Sequence, residues 1–267
     1  MNNKRISFIG GGNMAEAILS GMLAGGLIRA GDLVVADILQ ERRDWLGSKY
    51  GVNVTADNTA AVAGADVVVL AVKPQQALAV LGEMRGALSE AHLLVSICAG
   101  LTTQALAAQT AARVVRVMPN LPVLVGRGIS AMCEGPGATE QDLDLVQWLF
   151  EASGKVVRIP EMKMNEITAL SGSGPGYVFA FVEALENTAS AMGFAPELAR
   201  TLAAETVRGA AELAARSGQT PAELRKRVSS EGGTTLAGLA AMEAGGFSAA
   251  IAAGVQAARD RAAELGG

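Results

Sequence analysis

The sequence predicts an α/β protein: an N-terminal, doubly wound, mostly parallel sheet followed by a C-terminal all-α domain. Three observations carry that prediction. Apolar runs of strand length alternate with helix-length stretches as far as Ile159, the pattern of parallel strands joined by helical crossovers. Val67-Val68-Val69-Leu70-Ala71-Val72 has almost no polar alternation, as expected of a strand covered by helices on both faces. Beyond Pro160 strand-like runs vanish and Ala-rich helical patterns take over. That change of texture divides the chain into expected domains of residues 1–160 and 161–267.

The elements follow in order. Arg5 to Gly10 is a short β-rich run ending in glycines, and a helical pattern occupies Asn13 to Ala24. Further strands are expected at Leu33–Ala36, Val52–Thr55, Asp66–Val72, His92–Cys98, Arg113–Met118, Gly128–Cys133 and Lys155–Ile159. Helix-length stretches lie between most of them, at Gln40–Lys49, Gln75–Leu88 and Thr139–Ser153. The second domain reads as helices at Glu161–Leu170, Pro175–Met192, Pro196–Ser217, Pro221–Val228 and Phe247–Leu265, with one more opened by Gly232-Gly233-Thr234-Thr235. No fixed internal period is visible, and no long Gly/Ser or charged linker separates the halves.

Composition narrows the class. The 267 residues are half hydrophobic but only 4% aromatic, so the interior must be built from Ala, Val, Leu, Ile and Met. A net charge of −4 offers no basic footprint for nucleic acid. Lys4 and Arg5 precede an apolar stretch, but the glycine cluster and Glu16 interrupt it, and a membrane span needs about 20 mainly apolar residues. A cytoplasmic protein without membrane partners is expected. Cys98 and Cys133 lack metal-ligand spacing, so no metal site is expected, and His92 and the methionines Met162, Met164 and Met192 read as structural.

Gly10-Gly11-Gly12-Asn13-Met14-Ala15 fits the Rossmann-type fingerprint Gly-x-Gly-x-x-Gly/Ala, placed between a strand and a helix. Such glycines permit a tight turn and close approach of backbone to a pyrophosphate at the helix N-terminus. Asp37 ends the second strand, where a carboxylate binds the adenosine ribose and favours NAD; the alternative is a cap for the helix beginning near Leu39. Arg42 and Arg43 could meet a 2′-phosphate or be solvated charges. Ala71-Val72-Lys73-Pro74 and Cys98-Ala99-Gly100 end buried strands, where open α/β sheets place their ligands. In Ser171-Gly172-Ser173-Gly174-Pro175 the proline suits the first position of a helix that the serines can cap. In Val228-Ser229-Ser230-Glu231-Gly232-Gly233-Thr234-Thr235 the glycines admit a ligand to the start of a helix, which favours a negative group.

That last segment resembles the signature of the pyrroline-5-carboxylate reductases. Leu224, Val228, Ser230, Gly232-Gly233-Thr234-Thr235, Gly238-Leu239 and Glu243 match it. So do Ala71-Val72-Lys73-Pro74, Met118-Pro119-Asn120-Leu121-Pro122 and the Ser-Gly-Ser-Gly-Pro stretch. Glu231 stands where the family usually has proline, and Leu121 where it has threonine. The resemblance implies reduction of the C=N bond of 1-pyrroline-5-carboxylate to L-proline, the last step of proline biosynthesis. It implies NADPH, with NADH possible, on Gly10, Gly11, Gly12, Asn13, Met14, Asp37, Asn58, Ala71, Val72, Lys73, Pro74 and Ala99. Asn58 aligns with a position on the adenosine side, though it could also be a helix cap. Ser230, Gly233 and Thr234 would hold the substrate carboxylate, Ser173 would wall the pocket, and Thr235 would hydrogen-bond the ring nitrogen as it gains electron density. The family assembles through its helical domain as a homodimer, in places as a decamer. Two other readings compete. A β-hydroxyacid dehydrogenase would carry a catalytic lysine after the Ser-Gly-Ser-Gly segment, whereas Lys163 precedes it. A non-catalytic dinucleotide-binding regulator would keep the fold without turnover.

Overall fold

The computed structural model describes residues 4–265. Its first part is an eight-stranded sheet in the order β3-β2-β1-β4-β5-β6-β7-β8. The strands are β1 (Ile6–Ile9), β2 (Leu33–Ala36), β3 (Asn53–Thr55), β4 (Val67–Leu70), β5 (Leu93–Ser96), β6 (Arg113–Met118), β7 (Gly128–Glu134) and β8 (Gly154–Arg158). The first six run parallel; β7 reverses direction against β6, and β8 follows β7 in parallel. β1 is central, with Ile6 opposite both Leu33 of β2 and Val67 of β4. The order reverses there, so the crevice beyond the carboxyl ends of β1 and β4 is the place for a ligand.

Alternate strand residues face opposite layers of helices. Ile6, Phe8, Val69, Val95 and Val117 pack with Ile18, Leu19 and Met22 of α1 (Asn13–Ala24) and with Val146 and Phe150 of α6 (Glu140–Glu151). Ile9, Val68, Leu70, Leu94 and Val114 pack with Ala77, Leu81 and Met84 of α4 (Pro74–Met84). This double burial explains why the β4 run shows no polar alternation. Two short helices, α3 (Asn58–Val62) and α5 (Thr103–Ala107), lie in stretches where periodicity predicted no helix, because five residues are too few to display a 3.6-residue period.

The chain divides into compact units later than the change of texture at Pro160. One unit contains the residues up to Ser173 together with the chain from Ala258 onward; the other is Gly174–Ala257. Apolar contact explains the shift. Met164, in α7 (Met164–Ile167), is fully buried with Ala131 and Cys133 of β7. A Cβ on Gly172 would lie 2.8 Å from the Met118 methyl, and one on Gly100 would lie 3.0 Å from the Leu265 carbonyl.

The second unit consists of α8 (Gly174–Ala191), α9 (Pro196–Arg216), α10 (Pro221–Arg227), α11 (Thr234–Ala244) and the first part of α12 (Phe247–Leu265). Only small side chains, Ala199 and Ala203, are buried on α9, and none is buried on α8 or α11. Large apolar groups remain uncovered instead, among them Phe179 (57% exposed), Leu202 and Ile251. No single described helix is long and apolar enough to cross a membrane.

Candidate active site

The glycine fingerprint occupies the turn between β1 and α1. Gly10 has φ +97°, and a Cβ there would lie 2.7 Å from the Ala71 carbonyl oxygen, so glycine is required twice over. A Cβ on Gly11 would press on Leu46 at 2.7 Å. Gly12 differs: a Cβ there would meet nothing within 4 Å, because the position opens on a groove. Gly12 also caps α1 with extended backbone and no side-chain hydrogen bond. The first-turn N–H groups of Asn13, Met14 and Ala15 are therefore left to a ligand, as an anion at a helix N-terminus requires.

The groove has a volume of roughly 600 Å³ and runs along the carboxyl ends of β1, β2 and β4. Gly10, Gly12, Asp37, Asn58, Ala71, Val72 and Lys73 line it, bringing together most of the residues expected to meet a cofactor. Gly11 lies buried behind the wall, Asn13 and Met14 begin α1, and Pro74 begins α4. Ala99 sits in the turn after β5 and is not part of this wall. Periodicity missed two contributions. Ile38 and Leu39 line the groove as apolar side chains 78% and 62% exposed, and Gln76, Ala79, Val80 and Glu83 present one face of α4. The signal for the second was available, since those positions are three or four residues apart.

Two open alternatives are resolved by hydrogen bonds. α3 is capped by Asp57, whose carboxylate accepts from the N–H groups of Thr59 and Ala60, so Asn58 is not the cap. Asp37 accepts from the Gly11 N–H at 2.8 Å and from the Leu39 N–H at 2.9 Å. It therefore joins the fingerprint turn to the chain entering α2 (Gln40–Tyr50) and does not itself cap that helix, whose N-cap is Leu39. Arg42 and Arg43 are engaged with protein acceptors: Arg43 Nη1 donates to the Asp37 carbonyl at 2.6 Å, while Arg42 donates to the Gly11 carbonyl and to Glu16.

The Ser171–Pro175 segment departs from expectation. Thr168–Gly172 forms a π-helical turn, and the Ser171 hydroxyl donates back to the Ile167 carbonyl at 3.1 Å, so it does not cap α8. α8 starts at Gly174, which puts Pro175 at its second position. Ser173 closes the π turn through its N–H, which donates to the Thr168 carbonyl at 2.8 Å, and it belongs to the first compact unit.

Ser230, Gly233, Thr234 and Thr235 come together in the second unit. Ser230 to Gly233 form a tight turn in which the Gly233 N–H donates to the Ser230 carbonyl at 3.0 Å and Gly232 has φ +69°. A left-handed third residue is the mark of a type II turn, whose second position favours proline. Glu231 occupies that second position and is exposed. Proline there pre-sets φ in the unfolded chain, so Glu231→Pro is expected to raise the unfolding free energy by about 0.4–1 kcal/mol. Chemical denaturation at unchanged m-value tests this, and a fall in the midpoint would contradict it. The turn delivers α11 with no side-chain cap on Gly233. Since the Gly233 N–H is spent on the turn, the donors left at this end are the first-turn N–H groups of α11 and the hydroxyls of Ser230, Thr234 and Thr235. A Cβ on Gly233 would lie 2.5 Å from the Ser230 hydroxyl, so glycine keeps that hydroxyl in place.

Both cysteines are free and buried. Burial pushes the Cys98 thiol up to about 11 and the Cys133 thiol up to about 12. Among the described residues no group of three His, Cys, Asp or Glu side chains could hold a metal ion.

A sheet of this order with a glycine-lined groove at its switch point defines the class of dinucleotide-fold oxidoreductases. Residues 5–100 match the family model described as NADP oxidoreductase, coenzyme F420-dependent, and residues 161–265 match pyrroline-5-carboxylate reductase dimerisation. Over its whole length the chain is 38% identical to a pyrroline-5-carboxylate reductase of Methanosarcina acetivorans, covering 99% of that protein. It is 39% identical to the Arabidopsis thaliana enzyme of the same name, covering 98% of this chain and 95% of the relative. A crystal structure of Plasmodium falciparum pyrroline carboxylate reductase with NADP bound superposes with a TM-score of 0.91 at 30% identity, covering all of both chains. A Coxiella burnetii pyrroline-5-carboxylate reductase gives 0.92 at 37% identity, again covering both chains in full. The chain belongs to the pyrroline-5-carboxylate reductase family.

Proposed function

We propose that this protein reduces the C=N bond of 1-pyrroline-5-carboxylate to L-proline with NADPH, and with NADH as an alternative, as the last step of proline biosynthesis. The observation that carries the reading is the pair of anion-accepting helix starts in one chain. One opens on a dinucleotide-sized groove; the other is ringed by small hydroxyls.

The groove fits the cofactor because Gly12 leaves open the space that a side chain would fill. The N–H groups after Gly12 would hold the pyrophosphate. Asp37 and Asn58 would take the adenosine side, and the backbone of Ala71 to Pro74, with Ala99, would border the nicotinamide half. When bound, the dihydronicotinamide supplies the hydride. First-turn N–H groups of α11, with Ser230 and Thr234 around Gly233, would hold the substrate carboxylate. The Thr235 hydroxyl would hydrogen-bond the ring nitrogen as it gains electron density. Ser173 would form part of the pocket wall. No strong acid or base stands among these α11 residues, which suits a protonated iminium that is already electrophilic. The protein's part is then distance and orientation.

The apolar side chains left uncovered on α8, α9 and α12, together with the match to the dimerisation family, support a homodimer, with a decamer as a further assembly. Sedimentation of the purified protein is expected to give a dimer or a multiple of it; an active, stable monomer would contradict this. A cytoplasmic setting suits an enzyme drawing on the common nicotinamide pool. The decisive assay is loss of nicotinamide absorbance with pyrroline-5-carboxylate, run with NADPH and with NADH. Oxidation coupled to proline formation supports the reading; tight dinucleotide binding without oxidation would favour the regulator.

A further inference from the structure

We infer that Glu16 biases the choice between phosphorylated and unphosphorylated dinucleotide by withholding Arg42 from the groove. The inference rests on the dinucleotide-binding reading above. At the carboxyl end of β2 the groove is walled by Asp37, Ile38 and Leu39, and of these only Asp37 carries charge. A ribose 2′-hydroxyl can donate to that carboxylate. A 2′-phosphate cannot, and it needs a cation with N–H groups to spare.

The first turn of α2 supplies two arginines, and each is anchored to protein acceptors. Arg43 is turned to the Asp37 carbonyl and to Gln40 Oε1. Arg42 donates through Nε to the Gly11 carbonyl and through Nη2 to Glu16 Oε2. The Arg42–Glu16 pair is largely buried, with side chains 20% and 14% exposed, unlike the open surface pairs whose geometry counts for little. Glu16 gathers more than one cation. Its Oε1 also accepts from Lys49 Nζ at 3.0 Å, Tyr50 Oη at 2.8 Å and Trp45 Nε1 at 3.2 Å. Burial alone would raise the Glu16 carboxyl, but these hydrogen bonds, Arg42's foremost, outweigh it and hold it at about 2. The group is thus fully charged at neutral pH. One carboxylate on α1, outside the groove wall, thereby engages both Arg42 and Lys49 of α2.

Glu16 does not line the groove, so it is a positioning residue acting through Arg42. Its loss is expected to leave recognition of the shared adenosine unchanged and to alter only the response to the extra phosphate. Calorimetric titration of the full-length protein with 2′,5′-ADP and with ADP reads that response without turnover. Glu16→Gln keeps the shape and an acceptor oxygen for Tyr50 and Trp45 but removes the charge. It is expected to raise the ratio of 2′,5′-ADP to ADP affinity about tenfold, the scale of one charge-assisted contact. In the double variant with Arg42→Ala the gain should vanish. Arg42→Ala alone should leave the ratio within about twofold of wild type, because the guanidinium is already withheld. An unchanged ratio in Glu16→Gln, or a gain that survives in the double variant, would overturn the inference while both ligands still bind. So would a roughly tenfold fall in the ratio for Arg42→Ala alone, which needs no Glu16 variant to fold. If neither ligand bound wild type, the groove assignment itself would fall, and the inference with it.

Discussion

Thr235→Ala is expected to lower kcat by about two to three orders of magnitude, the usual cost of removing one hydrogen-bonding group aimed at an atom that gains electron density in the transition state. Dinucleotide affinity should be unchanged, because Thr235 is assigned to the substrate and is not among the residues that line the groove. A folding defect would not explain such a loss. Alanine is the better helix former, so the substitution favours α11 by a few tenths of a kcal/mol if it acts on stability at all. Thr235→Ser restores a hydroxyl and should recover much of the rate; Thr235→Val keeps the branched shape without the hydroxyl and should not. Steady-state kinetics with pyrroline-5-carboxylate would separate these outcomes, since a contact made only in the transition state lowers kcat and kcat/KM together. Wild-type rates in Thr235→Ala would remove this residue from the chemistry while leaving the family assignment intact.

The second large effect distinguishes two glycines of the same fingerprint. Gly10→Ala should destabilise the protein by about 2–4 kcal/mol, because it combines a left-handed backbone with a collision against main chain. The new methyl would lie 2.7 Å from the Ala71 carbonyl oxygen, an atom that cannot swing aside. Gly12→Val should do the opposite. At φ −65° and ψ −179° its backbone suits any residue, and its Cβ would enter open space, so the melting temperature should hardly move. That space is where the cofactor would lie, and affinity for NADPH is expected to fall about a hundredfold. Thermal melting and dinucleotide titration on both variants check the pair. Equal loss of stability in the two would show that the fingerprint is only a packing device.

Much of this was legible from sequence. The alternation of strand and helix lengths, the unbroken apolar run of β4 and the glycines after β1 all express local rules. Hence β1, β2, β4, β5 and β6 lie where apolar runs predicted them, and α1 spans the residues the pattern indicated. The Ala-Val-Lys-Pro segment follows an apolar run in the sequence, and its Ala71, Val72 and Lys73 border the groove. Short elements were not legible. α3 and α5 are single turns held by Asp57 and Thr102 caps and by the sheet above them. The pattern offers the Ser171 hydroxyl as a cap, whereas it bonds back along a π turn, because a serine side chain has both options open to it.

The sequence by itself determined the layering, the place of the dinucleotide turn and the family, since each is written in spacings of a few residues. Tertiary structure alone decided which atoms those residues address. Gly11 and Asp37 are 26 residues apart, and Glu16 meets Arg42 across the same separation. Asp37 had two readings, a ribose ligand or a helix cap, and Arg42 two, a phosphate ligand or a solvated charge, until α1 and α2 were laid side by side on the sheet. The late division at Ser173 likewise depends on Met164 finding the apolar patch of β7. Periodicity states which face of an element is buried, but a hydrogen bond is chosen among competing acceptors only once the chain has brought them within about 3 Å of one another.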